Sequence, residues 1–259
     1  LHGEPDGSFP NHHPDPSKLE NMEDLIKSVK VNKCSVGLAF DGDADRLGVI
    51  SPLGEMIFPD RQMIMFSRQV IQSSPNAKIV FDVKCSKLLS DEIKKLKGKP
   101  LICKTGHTFI KQKIRETDAL LGGEMSGHIF FNDRWPGFDD GIYAGARMLE
   151  IIANSEEGDP FANVPNMLST PEINIPAADE EKFQIVKTFI ENSNFSDAKI
   201  VSIDGIRVEF EKGWGLLRPS NTSPCLVLRF EAETNDDLNK IKEIFYSGLK
   251  SIKPNINKF

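Results

Sequence analysis

The chain has 259 residues, 39% of them hydrophobic and 27% charged, enough for about two ordinary domains or three small ones with buried cores. A net charge of −6 with no Lys/Arg tract leaves no footing for nucleic acid, and no apolar run approaches the ~20 residues of a membrane helix. Cys34, Cys85, Cys103 and Cys225 form no CxxC pair, so reduced thiols and a cytoplasmic protein are expected. Residues 1–16 are polar and rich in Pro, His and Gly, unlike a signal peptide, and the missing initiator Met reads as a truncated start.

Residues 1–16 read as loop. An amphipathic helix is expected over 19–30, with Leu19, Met22, Leu25, Ile26 and Val29 on its buried face. The apolar run 36–40 reads as a buried strand ending at an acidic cluster, and 47–58 as a hairpin turning at Pro52–Gly54. Helices follow at 60–72, 87–97, 108–116 and 140–153, with strands at 78–83, 100–103 and 119–121. This alternation predicts βαβ units with parallel or mixed sheets. Residues 163–176, with three prolines, read as a linker. Helices at 179–192 and from 235 bracket strands at 199–203, 206–210, 215–218 and 226–231, the pattern of a small α+β domain with an antiparallel sheet.

Directly after the first strand stands Asp41-Gly42-Asp43-Ala44-Asp45-Arg46. Carboxylates at i, i+2 and i+4 on an extended loop converge on one hard cation, and without one they repel each other. Oxygen-only donors suit Mg²⁺ or Ca²⁺ better than zinc. An EF-hand fails, because Arg46 stands where its Gly belongs and Pro52 where its Glu belongs. A phosphatase with Asp41 as nucleophile is the rival reading, but Asp45 replaces the Thr or Val of its DxDx(T/V) motif.

Three further segments carry donors. Gly122-Gly123-Glu124-Met125-Ser126-Gly127-His128 offers a carboxylate and a hydroxyl suited to vicinal sugar hydroxyls. Lys84 follows the strand at 78–83, at a carboxyl end where open α/β sheets bind ligands, and Lys104-Thr105-Gly106-His107 follows the next one. A surface lysine, and a His107 that caps or packs, are the plainer readings. Arg218-Pro219-Ser220-Asn221-Thr222-Ser223-Pro224 lies between two strands of the last domain, a donor set for a phosphate dianion or an ordinary polar turn.

These segments occur in the order found in the α-D-phosphohexomutases. DGDADR at 41–46, KTGH at 104–107, RPSNTSP at 218–224 and the opening GEPDGSFPNHHPDP at 3–16 resemble that family's segments, and GEMSGH at 123–128 resembles the sugar-recognition loop of its phosphomannomutase/phosphoglucomutase branch. Met125 separates the chain from phosphoglucosamine mutases, which resemble GEQSGH. The resemblance implies that Asp41, Asp43 and Asp45 bind Mg²⁺, with Arg46 beside a phosphoserine phosphate. It puts Glu124 and Ser126 on the sugar, His128 near the transferred proton, and Lys84 and His107 in the active cleft. Arg61 becomes a substrate contact. Arg218, Ser220, Asn221, Thr222 and Arg229 take the non-transferring phosphate.

The resemblance also implies an isomerase that interconverts hexose 1- and 6-phosphates of mannose or glucose through a hexose 1,6-bisphosphate. The end of a second domain is expected at 1–54, a third at 55–165 and a fourth at 166–259. The family's SxSHNP-like serine loop does not occur in this sequence. N-terminal domains of the same protein are therefore the expected partner, and this chain alone is expected to be inactive. Phosphosugar binding without turnover, a phosphoglucosamine mutase and an aspartyl phosphatase stay open as alternatives.

Overall fold

A computed structural model of the chain describes residues 1–4, 6–155, 159–195 and 198–259. Pro5 of the opening motif lies outside the described residues. The chain divides into two compact units, Leu1–Pro165 and Asn166–Phe259. No helix among the described residues is long and apolar enough to cross a membrane, and all four cysteines are free thiols.

Unit 1 begins with an irregular segment and a 3₁₀ turn, Leu19–Met22, that leads into α1 (Glu23–Asn32). The predicted apolar face is only partly realised. Met22 and Val29 are buried against Ile50, but Leu19 lies in the 3₁₀ turn and is exposed. An antiparallel sheet follows in the order β1 (Gly37–Phe40), β2 (Leu47–Ile50), β3 (Met56–Ile57). β1 is an edge strand and only half buried, which corrects the expectation of a buried strand. The central β2 is buried throughout. Its Ile50 faces α1, while Leu47 and Val49 join the main core.

Next come α2 (Pro59–Ser73), β4 (Lys78–Asp82), α3 (Lys87–Lys95), β5 (Lys99–Cys103), α4 (His107–Thr117), β6 (Leu121–Gly123), β7 (Ile129–Phe131) and α5 (Gly141–Ala153). The sheet order is β5-β4-β6-β7, with β4 parallel to both neighbours and β7 antiparallel to β6. Ile79 and Phe81 of β4 pack with α2, α3 and α5; Val80, on the opposite face, packs with Ile110 and Ile114 of α4. A strand covered on both faces has no polar side, so the centre of β4, Ile79–Phe81, reads as a continuous apolar run.

Two expectations change here. The strand expected at 119–121 runs Leu121–Gly123, so both glycines belong to the sheet. A Cβ on Gly122 would lie 2.7 Å from Ile114, and one on Gly123 would lie 2.4 Å from Met63. They let helices approach the strand from both sides. β7, a strand not among those expected from the sequence, completes the hairpin.

In unit 2 the segment read as a linker holds two strands, β8 (Leu168–Ser169) and β9 (Ile173–Pro176), both antiparallel to β13 (Cys225–Ala232). Short edge strands among prolines carry little periodicity, which hid them. The remaining sheet is β10 (Lys199–Val201), β11 (Ile206–Phe210), β12 (Gly213–Pro219) and β13, all antiparallel. α6 (Asp179–Asn192) and α7 (Asn235–Ile252) cover one face through Phe189, Ile241, Phe245 and Leu249. The other face carries buried Arg207, Glu209, Trp214, Arg218, Arg229 and Glu231.

Candidate active site

The acidic loop sits between β1 and β2, where the hairpin forces the chain to reverse; Ala44 adopts a left-handed φ of 61°. Arg46 closes the loop on itself. Its backbone N–H donates to Asp41 Oδ1 (3.0 Å) and its Nε–H to Asp41 Oδ2 (2.6 Å). A second arm reaches Asp15, 31 residues away, at 3.3 Å. Burial pushes the Asp41 carboxyl up, but the Arg46 hydrogen bonds and charge outweigh it and hold Asp41 below the usual carboxylate range. Asp45 goes the other way. Burial raises it, the Asp41 and Asp43 charges add to that, and His128 only partly opposes them. Its Oδ1 is buried and accepts no hydrogen bond.

The second loop, 124–128, follows β6 and folds against the first. Leu47 N–H donates to Gly127 O (3.1 Å), and Arg46 and His128 form a backbone bridge. His128 Nε2 lies 3.4 Å from Asp45 Oδ1, its Nδ1 3.3 Å from Glu124 Oε2 and 2.8 Å from Ser126 Oγ. Burial alone would lower the His128 pKa; the carboxylates of Glu124, Asp45 and Asp139 together raise it. Glu124 is buried, with one oxygen on the Gly106 N–H at the start of α4 and the other beside His128. It therefore ties three segments together.

The α5 N-terminus fixes the acidic loop from below. Gly141 N–H donates to Ala44 O (3.0 Å), and a Cβ at Gly141 would stand 2.6 Å from the Arg46 carbonyl oxygen. Only glycine allows that approach. Asp140 caps the helix by accepting from Tyr143 N–H, while the neighbouring Asp139 faces His107 at 3.0 Å and Lys111 at 3.0 Å.

Lys84 is buried at the carboxyl end of β4, near Asp82. Burial raises the Asp82 pKa and the Lys84 charge opposes the rise. Asp82 also accepts from Thr105 Oγ1 (3.2 Å) and Met125 N–H (3.4 Å). Asp82, His107 and Glu124 thus flank the carboxyl ends of β4, β5 and β6, where chain connections leave in different directions. Arg61 lies in the first turn of α2 and donates to Val164 O (3.3 Å).

Unit 2 carries its own donor group. Arg218 lies on β12 opposite Val227, at the end of the strand expected over 215–218, and the β12–β13 ladder runs on through Pro219. Its Nε–H donates to Asp204 (2.9 Å) and its Nη2 is buried without a hydrogen-bond partner. Ser220 Oγ accepts from the N–H groups of Thr222 and Ser223, which leaves its own proton to donate. Asn221 and Thr222 are exposed. Lys182 anchors the loop through Ser223 O (3.0 Å). Arg229, on β13, lies 3.5 Å from Glu231, which accepts from Trp214 Nε1 (2.7 Å).

Asp15, Asp82, Lys111, Asp139 and Lys182 are the members that sequence reasoning passed over. Asp82 and Asp139 adjoin recognised motifs, and position was their only signal.

The fold and these groups define an α/β protein with a loop of three clustered carboxylates beside a carboxylate–imidazole pair. Comparison with known proteins agrees. Family models match in succession: phosphoglucomutase/phosphomannomutase alpha/beta/alpha domain II over 1–54, domain III over 58–166 and the C-terminal domain over 172–247. A phosphomannomutase/phosphoglucomutase of Pseudomonas syringae pv. tomato is 51% identical over 261 residues, covering 99% of this chain and 56% of the relative. A phosphoglucomutase of Neisseria gonorrhoeae is 49% identical, covering 97% and 55%. The crystal structure of a phosphoglucomutase/phosphomannomutase family protein from Burkholderia thailandensis superposes with a TM-score of 0.93 at 46% identity, over 100% of this chain and 56% of that one. The chain belongs to the phosphoglucomutase/phosphomannomutase family of phosphohexomutases. It spans about half the length of the curated relatives it matches.

Proposed function

We propose that this chain is the metal- and phosphosugar-handling part of a phosphomannomutase/phosphoglucomutase, an isomerase that interconverts hexose 1-phosphate and hexose 6-phosphate. The observation that carries this reading is the junction of the two loops: Asp45 of the acidic loop and Glu124 of the sugar loop meet on the two nitrogens of His128, at 3.4 and 3.3 Å.

The donor set fits Mg²⁺. One oxygen each from Asp41, Asp43 and Asp45 lies within 4.8 Å of the others, and Asp45 Oδ1 is a buried acceptor still lacking a hydrogen. A cation held there supplies charge neutralisation for a transferring phosphoryl group. The residues of the chain do the rest. Arg46 stands beside the same carboxylates with its guanidinium available to a phosphate oxygen. Ser126 and Glu124 orient His128, whose imidazole takes the proton that a sugar hydroxyl gives up as its oxygen accepts the phosphoryl group. In unit 2, Arg218, Ser220, Asn221, Thr222 and Arg229 hold the phosphate that is not reacting. The phosphoserine that donates and recovers the phosphoryl group comes from protein sequence beyond these 259 residues, and the hexose 1,6-bisphosphate is the intermediate. Arg61 is assigned to substrate contact, Lys84 to phosphate contact or proton donation, and His107 to the same cleft.

The aspartyl phosphatase reading fares worse. Both oxygens of Asp41 accept hydrogen bonds from Arg46, at 3.0 and 2.6 Å, which blunts the carboxylate as a nucleophile. The test is calorimetric titration of Mg²⁺ into the chain and into Asp43→Asn. Saturable binding lost in the variant is expected; equal binding by both overturns the acidic-loop assignment.

A further inference from the structure

We propose that His107, His128 and Asp139 form a second cation site, suited to a first-row transition ion such as Zn²⁺ and separate from the oxygen-only loop. The three residues come from three segments: the first turn of α4, the residue before β7, and the residue before the α5 cap. One donor atom from each lies within 4.8 Å of the other two. His107 Nδ1 is 3.0 Å from Asp139 Oδ2, and the two imidazole ring centroids are 5.6 Å apart.

Each segment is held by contacts of its own. Asp139 forms a backbone bridge with Phe130, His128 one with Arg46, and Gly106 N–H binds the buried Glu124. Tetrahedral zinc sets its ligand atoms roughly 3.3 Å apart, from Zn–N and Zn–O bonds near 2.0–2.2 Å. The cluster reaches that spacing by side-chain adjustment of about an ångström or so. Two imidazoles and a carboxylate with an open fourth position favour zinc, cobalt or nickel over magnesium. The surrounding charge supports a cation, since Asp45 and Glu124 flank His128.

One group competes for the place. Lys111 Nζ lies 3.0 Å from Asp139 Oδ1 and 3.4 Å from His107 Nδ1. Its ammonium supplies the positive charge that a metal would bring, and its half-exposed stem lets it swing to solvent. Zn²⁺ and the Lys111 ammonium therefore exclude each other. Occupancy takes His128 out of proton transfer, which would make zinc an inhibitor of the activity proposed above; the site itself does not depend on that activity.

Zn²⁺ is titrated calorimetrically into the 259-residue chain in excess Mg²⁺, and Co²⁺ absorption reports imidazole ligation. One Zn²⁺ per chain is expected. His107→Ala and Asp139→Asn should each weaken binding roughly tenfold or more, Lys111→Gln should tighten it, and Asp43→Asn should leave it unchanged. Thermal melts verify the folding of each variant, and the exposed His107 decides if Asp139→Asn unfolds. Loss of Zn²⁺ binding in Asp43→Asn puts the ion in the acidic loop and overturns the proposal. So does binding that survives His107→Ala, which would implicate His2, His12 or His13, and so does no binding at all.

Discussion

Asp204 grips Arg218 by its Nε at 2.9 Å and leaves the Nη2 end of the guanidinium buried with no hydrogen-bond partner. A buried donor of that kind costs stability unless a ligand satisfies it, and the phosphate role proposed for Arg218 would give that arm an anion to bind. Asp204→Asn keeps the shape and removes the charge. It should weaken hexose phosphate binding by the chain several-fold or more and cost about 1.5–3 kcal/mol of stability, since hydrogen bonds to charged groups contribute in that range. Calorimetry with glucose 6-phosphate and a urea melt check both; unchanged affinity would remove Asp204 as a positioning residue.

Gly141 lets the α5 N-terminus touch the acidic loop, and a methyl group there meets the Arg46 carbonyl oxygen at 2.6 Å. Backbone cannot yield as a side chain does. Gly141→Ala should therefore destabilise unit 1 by about 1–3 kcal/mol, the usual cost of overpacking. It should also weaken Mg²⁺ binding, because Ala44 and Arg46 would shift. A variant with wild-type melting and Mg²⁺ affinity would mean that this contact does not hold the loop.

Glu209 supplies a pH signature in unit 2. Burial raises its pKa, but Arg207 and Lys199 outweigh that and hold it below the ordinary 4.5. A depressed carboxyl pKa gives stability that is complete above 4.5 and lost as pH falls through the folded-state value. Unfolding of unit 2, followed by Trp214 fluorescence in a Trp135→Phe background, should weaken over that acidic window. Glu209→Gln should flatten this part of the profile; an unchanged profile would argue against the Arg207–Glu209 pair as its source.

Much of this architecture is legible in the sequence, for identifiable reasons. The parallel core strand β4 carries the apolar run Ile79–Phe81 because helices cover both its faces. α6 and α7 carry clear helical periodicity because each packs one face on a sheet. β8 and β9 escaped notice because they are short edge strands among prolines, recognisable only through their register with β13. The acidic loop, GEMSGH and the RPSNTSP segment are visible as local clusters of chemistry. Asp15 on Arg46, Asp139 on His107 and Asp204 on Arg218 are not, since each joins residues at least 14 apart and depends on the fold to meet. Arg218 was legible both as a residue and as the end of a strand, but its partner Asp204 was not.

The central claim is phosphoryl transfer between the two ends of a hexose. The most direct measurement is a ³¹P NMR time course of glucose 1-phosphate or mannose 1-phosphate with the intact protein from its source cells, in Mg²⁺ with a trace of the matching 1,6-bisphosphate. The account predicts growth of the 6-phosphate resonance at the expense of the 1-phosphate, with no free phosphate, and loss of that conversion in Asp43→Asn. A growing inorganic phosphate signal would mean hydrolysis with an aspartyl nucleophile, and an unchanged spectrum would mean binding without turnover; either contradicts the account.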